Sequence, residues 1–311
     1  MKDIDKTPVT FLTKFRRVGF YFSMGLVLLA LAGLFSRGLN LALDFTGGYL
    51  TEFSTSESVS QQEMQQALSA YLPDGFRLSS ANQGHYWTVR QADNVSSVKG
   101  ADWLDKLAQE MVAKPGAITI KPQEAIYMGS QVGEELIEQG GLALLTAAVV
   151  ILLYLAVRFE WRLATGAVAA LCHDVILVLG LFAWTGLSFD LTVLASILAI
   201  IGYSLNDSII VGDKVREFMR SQSDSSMDSI INLAIKSTLV RTLITSGTTL
   251  ATILSVWLLA GASLSGFSVA LFAGIVVGTF SSVVISATVP QLLGLTADYY
   301  QKQAEMSCQL P

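Results

Sequence analysis

Three acids stand where acids are costly. Asp174 and Asp207 interrupt long apolar runs, and Asp213 lies just past the second of them. An Asp at the centre of a membrane helix costs about 2.5–3.5 kcal/mol on insertion scales, so each is a functional candidate by default. At about 1.5 Å rise per residue, Asp174 lies about 18 Å from Arg162, near mid-bilayer, and Asp207 about 9 Å inward of Asp213. Around Asp207 the segment Gly202-Tyr-Ser-Leu-Asn-Asp-Ser208 supplies Tyr203, Ser204, Asn206 and Ser208. Arg241 opens a later apolar run in which Thr245, Thr248 and Thr249 share its broad helical face. Burial favours the neutral form of a carboxyl and a nearby Arg favours the charged form, so moving Arg241 could load or release a proton at Asp207. A static Asp207–Arg241 lock between two spans fits the same residues. His173 beside Asp174 fits either a packing hydrogen bond or a second relay station. Asp213, in Gly212-Asp-Lys-Val-Arg-Glu217, fits either a solvated helix end or a relay member.

The composition sets the frame for that chemistry. Of 311 residues, 52% are hydrophobic and 14% charged, against about 25% charged in soluble domains. One water-facing globule is excluded. A net charge of −5 also argues against a nucleic-acid partner. Cys172 and Cys308 make no disulfide framework. We find no nucleophile triad, metal constellation or phosphate loop. The expectation is a protein that is not an enzyme and has no cofactor, with the proton as coupling ion.

The elements that must hold these residues are membrane helices, each needing about 20 apolar residues. Charge-free or nearly charge-free runs predict six: residues 18–36, the stretch between Glu138 and Arg158, Leu163 to about Trp184, Leu191 to about Val211, and two within 242–297. Residues 226–235 have the pattern of a separate amphipathic surface helix. The segments are then a tail at 1–17, a first span at 18–36, a soluble domain at 37–138, a five-helix bundle at 139–297 and a tail at 298–311. Lys and Arg concentrate in the N-terminal tail and in the loops after spans two and four, which puts both termini in the cytoplasm and 37–138 outside. In that domain, strand patterns at 49–55, 76–81, 86–91 and 117–128 and helix patterns at 60–72 and 98–113 read βαββαβ, the order of a ferredoxin-like unit. Ser60 with Glu63 forms a capping box, and Pro122 marks an edge strand or a bulge. The fold class is thus an α-helical polytopic membrane protein with an inserted α+β ferredoxin-like periplasmic domain.

Three motifs bring a family into view: Leu43-Asp-Phe-Thr-Gly-Gly48 after span one, Ile201-Gly-Tyr-Ser-Leu-Asn-Asp-Ser208 in span four, and Arg241-Thr-Leu-Ile-Thr-Ser-Gly-Thr-Thr249 in span five. With one span, an exported domain and five more spans, the chain resembles the SecF branch of the bacterial SecD/SecF protein-export family, in the resistance-nodulation-division superfamily. The resemblance implies proton-driven help in late preprotein translocation across the inner membrane. It implies Asp207 and Arg241 as the essential pair and Asp44, Gly47 and Gly48 as the motif turning from membrane into domain. It matches His173-Asp174 to a His-Asp pair in span three. Implied partners are SecD, the SecYEG channel, YajC and the unfolded preprotein, within the lipid bilayer. Gly212 and Lys214 depart from the family pattern, which weakens Asp213 as a site. Two other functions remain open, a proton-coupled exporter of small molecules or lipids and a purely structural translocon subunit. An intramembrane aspartyl protease fits poorly, because no Gly-x-Gly-Asp precedes Asp207.

Overall fold

The computed structural model describes residues 6–72, 76–81, 84–91, 102–113, 118–222, 225–259, 264–297 and 299–300. In chain order its elements are α1 (Lys6–Arg37), α2 (Leu43–Thr46), β1 (Gly48–Thr55), α3 (Gln61–Ser69), β2 (Arg77–Ala81), β3 (Tyr86–Gln91), α4 (Asp102–Ala113) and β4 (Ile120–Met128). There follow α5 (Ser130–Arg158), α6 (Trp161–Thr185), α7 (Leu191–Ser221), α8 (Met227–Leu259), α9 (Ser265–Val284) and α10 (Val289–Leu292). They divide into two compact units, one of residues 41–143 and one of residues 1–40 with 144–311.

The smaller unit is a four-stranded sheet in the order β2-β3-β1-β4, with every neighbouring pair antiparallel. Alternation decides which face is covered. Thr51, Phe53 and Thr55 of β1 and Trp87, Val89 and Gln91 of β3 are buried, whereas the residues between them are half-buried. Phe53, Trp87 and Val89 pack with Met64 and Leu68 of α3 and Trp103, Leu107 and Met111 of α4 in one core. Ser60 caps α3 by accepting from the Glu63 amide at 3.3 Å. Pro122 meets both of its expected roles. Strand β4 is an edge strand, and its register with β1 shifts between Glu52, opposite Glu124, and Phe53, opposite Pro122. Residues 98–101 of the expected helix and residue 117 of the expected last strand lie outside the described residues.

Among the described residues, six helical segments are long and apolar enough to cross a membrane: Phe11–Arg37, Gln131–Arg158, Trp161–Thr185, Leu191–Ser221, Met227–Leu259 and Ser265–Leu292. The protein is therefore a multi-pass membrane protein. The separate surface helix expected at 226–235 is instead the first three turns of α8. No Gly or Pro interrupts 227–246, and the apolar side of that segment (Ile230, Ile231, Ala234, Ile235) is buried with Leu155, Phe159, Leu163, Val211, Val215 and Met219. Burial on one side thus carries the helix straight on into lipid.

Arg16 was expected only as a tail charge, yet it is 1% exposed. Its guanidinium donates to Thr288 Oγ1 (3.4 Å), Asn232 Oδ1 (3.1 Å) and Gln291 Oε1 (2.8 Å), and it pairs with Asp228 at 3.5 Å. This network ties the start of α1 to α8 and α10.

Glycines set how closely the bundle helices approach. A Cβ at Gly274 would lie 2.3 Å from Ile200, one at Gly180 2.3 Å from Ala30, and one at Gly166 2.5 Å from the Ser286 carbonyl. Gly247, which has the same small-residue character in sequence, meets nothing within 4 Å. Overpacking a filled helix contact costs about 1–3 kcal/mol. Gly274→Val is therefore expected to lower the apparent melting temperature of the detergent-solubilised protein, and Gly247→Val to leave it unchanged. Equal effects in the two variants would contradict this packing.

Candidate functional site

Helix α7 buries one side of its surface, through Ile197, Ile200, Ile201, Ser204, Asp207, Ser208, Val211 and Val215. The three- and four-residue steps of that set put Ser204, Asp207 and Ser208 in one file toward the bundle interior. Asp207 is 3% exposed. Its Oδ2 has no hydrogen-bond partner among the described residues, nor has the Ser208 hydroxyl beside it. Arg241 is the cation that acts electrostatically on Asp207, yet no hydrogen-bonded ion pair joins them among the described residues. The pair is near but open.

One turn earlier, Ser204 reaches the other acid. Asp174 is fully buried in α6, and its Oδ2 accepts from the hydroxyls of Ser204 in α7 and Ser281 in α9, the latter at 2.8 Å. Its Oδ1 faces His173 Nδ1 at 2.9 Å. His173 Nε2 is buried without a partner among the described residues. Gly278 makes room for this junction, since a Cβ there would stand 3.3 Å from both Asp174 Oδ2 and Ser204 Cβ. Asp174 thus joins three helices, and Ser204 stands one turn from Asp207 on the same side of α7.

Tyr203 starts a second polar thread. Its hydroxyl donates to Ser246 Oγ of α8 at 3.1 Å, and Ser246 contacts Thr279 Oγ1 of α9 at 2.7 Å. The inward side of α8 is formed by Thr238, Thr242 and Ser246, which are buried.

The remaining residues expected at the relay are exposed or held by other partners. Arg241, Thr245, Thr248 and Asn206 are exposed in this chain. Thr245 and Thr248 spend their hydroxyls on their own helix, on the carbonyls of Arg241 and Ile244 one turn back. Their helical face, expected to line Asp207, points outward. Asp213 is held at 2.7 Å by Arg158 and 2.8 Å by Arg216, a clamp between the ends of α5 and α7. Asp44 lies in the first turn of α2, and Gly47 and Gly48 follow with φ of 64° and 116°. Two successive positive φ values explain why both are glycine. Ser281 and Thr279 were missed. A signal existed in α9, where Gly274, Gly278 and Ser281 repeat at helical spacing.

Two buried acids, Asp174 held by serine hydroxyls and Asp207 open, within a six-span bundle define a multi-pass membrane protein with ionisable groups in its interior. Comparison places it more closely. Residues 108–295 match the C-terminal region of the SecD/SecF protein export membrane proteins, and residues 32–59 match the SecD/SecF GG motif. The Protein translocase subunit SecF of Vibrio alginolyticus is 36% identical over 299 residues, covering 92% of this chain and 90% of that protein. That of Pseudomonas aeruginosa is 37% identical over 283 residues, covering 91% of each. A crystal structure of SecDF, a translocon-associated membrane protein from Thermus thermophilus, superposes with a TM-score of 0.78 at 30% identity. It matches 91% of this chain, which spans 38% of that longer one. The chain belongs to the SecD/SecF protein-export family.

The Asp174 junction predicts a graded response to mutation. Each buried hydroxyl left without its acceptor costs about 1–3 kcal/mol. Asp174→Leu takes the carboxylate acceptor from Ser204 and leaves Ser281 only the Gly278 carbonyl at 3.1 Å, whereas Asp174→Asn keeps a side-chain acceptor oxygen for both. We expect thermal unfolding in detergent to show a clear loss for the Leu variant and a smaller one for Asn. Equal losses would contradict the junction.

Proposed function

We propose that this protein is a subunit of the Sec export machinery that works with a SecD-type partner and converts an ion gradient into late preprotein translocation. The observation that carries the proposal is Asp207, a buried carboxyl that, among the described residues, leaves one oxygen unpartnered and has Arg241 acting on it electrostatically without an ion pair. Whether such a group holds a proton depends on where the nearest cation stands. Movement of Arg241 toward and away from Asp207 therefore takes up and releases one proton. One charge crossing about 100 mV supplies about 2.3 kcal/mol, enough to shift a two-state equilibrium roughly fifty-fold.

The outward position of Arg241, Thr245, Thr248 and Asn206 supports a site finished by a neighbouring subunit, since polar side chains facing lipid are costly. SecD is that neighbour in this reading, with SecYEG and YajC as further partners and the unfolded preprotein held outside. The antiparallel β2-β3-β1-β4 order, with two helices over one face, supports a ferredoxin-like domain on the periplasmic side. The basic N-terminal tail and the basic helix ends and connections at 158–162 and 212–241 support cytoplasmic termini in the bacterial inner membrane. The proton is the coupling ion, and we assign the protein no enzymatic step and no cofactor. The well-satisfied Asp174 junction favours a positioning role for that acid, with Asp213 a clamp at the helix ends.

Preprotein export into membrane vesicles tests the proposal, with and without a proton gradient. Asp207→Asn and Arg241→Met are expected to abolish the gradient-dependent part while assembly with the partner survives. Normal export by both variants would leave only a structural subunit.

A further inference from the structure

One cavity lies away from the acids. It runs between α1, α6 and α9, has a volume of about 540 Å³, and is lined almost wholly by apolar side chains, among them Leu26, Ala30, Leu177, Leu181, Phe272 and Val276. That volume falls in the range of small-molecule sites, about 300–1,000 Å³. All six residues lie within membrane-spanning segments, where the surrounding solvent is hydrocarbon.

Its mouth is built. Trp184 lines the cavity, and its indole is fixed by a hydrogen bond from Nε1 to the Leu29 carbonyl at 2.9 Å. Gly33 seats it, because a Cβ there would lie 2.5 Å from Nε1. Arg37 in turn stacks on the indole, 4.8 Å from the ring centroid, and donates to the Trp184 carbonyl at 3.2 Å. A guanidinium is thus held beside a hydrocarbon slot. Its location is unusual in sequence as well. At the span ends on that side, namely 37–40, 131–135, 185–191 and 259–265, Arg37 is the one Lys or Arg. Topology does not call for a cation there, and Trp residues collect at the headgroup level.

We propose that this groove is a phospholipid site, with one acyl chain in the α1–α6–α9 slot and the headgroup phosphate on Arg37. Charge complementarity selects an anionic headgroup, and the apolar walls select the chain. Assignment to the exported-side leaflet rests on the orientation given under Proposed function. The site itself rests only on the bundle.

The test uses the full chain in lipid nanodiscs, alone and with its SecD-type partner. Trace phosphatidylglycerol or phosphatidylcholine carries a photoreactive acyl chain, and labelled peptides are mapped by mass spectrometry. Labelling is expected to concentrate on residues 26–30, 177–184 and 272–277 in both preparations, with phosphatidylglycerol favoured about fivefold, the effect of one basic residue near an anionic surface. Arg37→Gln should erase that preference and leave chain labelling, and Arg37→Lys should retain much of it. Ala273→Trp should close the slot. Should that variant fail to fold, the exposed Arg37 substitutions still decide the matter. Labelling spread evenly over the six spans would mean ordinary surrounding lipid and overturn the proposal. So would a preference indifferent to Arg37→Gln, or groove labelling that vanishes when the partner is present, which would mean a partner helix fills the slot.

Discussion

A carboxylate in lipid must be fully partnered or be able to become neutral. The two intramembrane acids answer that constraint in opposite ways. Asp174 has a His nitrogen and two serine hydroxyls on its oxygens. Asp207, equally inward-facing, leaves an oxygen without a partner among the described residues. A satisfied acid fixes structure, because moving any of its donors exposes an unpaired charge. An unsatisfied acid has little to lose by changing its protonation. Position on α7 divides the labour: Ser204 belongs to the fixed junction, and Asp207, one turn on, belongs to the open one.

Packing elsewhere serves the same division. Close approaches hold α9 to α7 at Gly274, α6 to α1 at Gly180 and α6 to the segment after α9 at Gly166. The outer parts of α8 and most of α5 are exposed, and only 17% and 6% of their most apolar windows are buried. Arg241 lies on α8, which packs against α7 and α9 on one side and is exposed on the other. Its helix is anchored near its N-terminal end, where Asp228 and Asn232 meet buried Arg16.

Much of this was legible in sequence, and the rest has a physical reason for being hidden. Apolar runs located the six spans, and alternation in β1 and β3 with the Ser60 cap located the sheet and α3. Charges in apolar runs pointed to Asp174 and Asp207. Which face of α8 meets α7 was not legible, because Arg241 and its threonines form one helical stripe, while Thr238, Thr242 and Ser246 form another equally polar one. Periodicity alone cannot say which stripe meets α7. Ser281 was overlooked because a serine in a small-residue stripe resembles plain helix packing. Arg16 was hidden for a different reason: its partners lie more than 200 residues away, on α8 and α10.

The central claim is that Asp207 exchanges a proton under the control of Arg241. Difference infrared spectroscopy of the protein in nanodiscs, following the C=O stretch of protonated carboxyls as pH is varied, addresses it most directly. The account predicts a titrating carboxyl band that Asp207→Asn removes and Arg241→Met moves to a different pH, while Asp174→Asn leaves it in place. A band indifferent to Asp207→Asn, or one that Asp174→Asn removes instead, would contradict it.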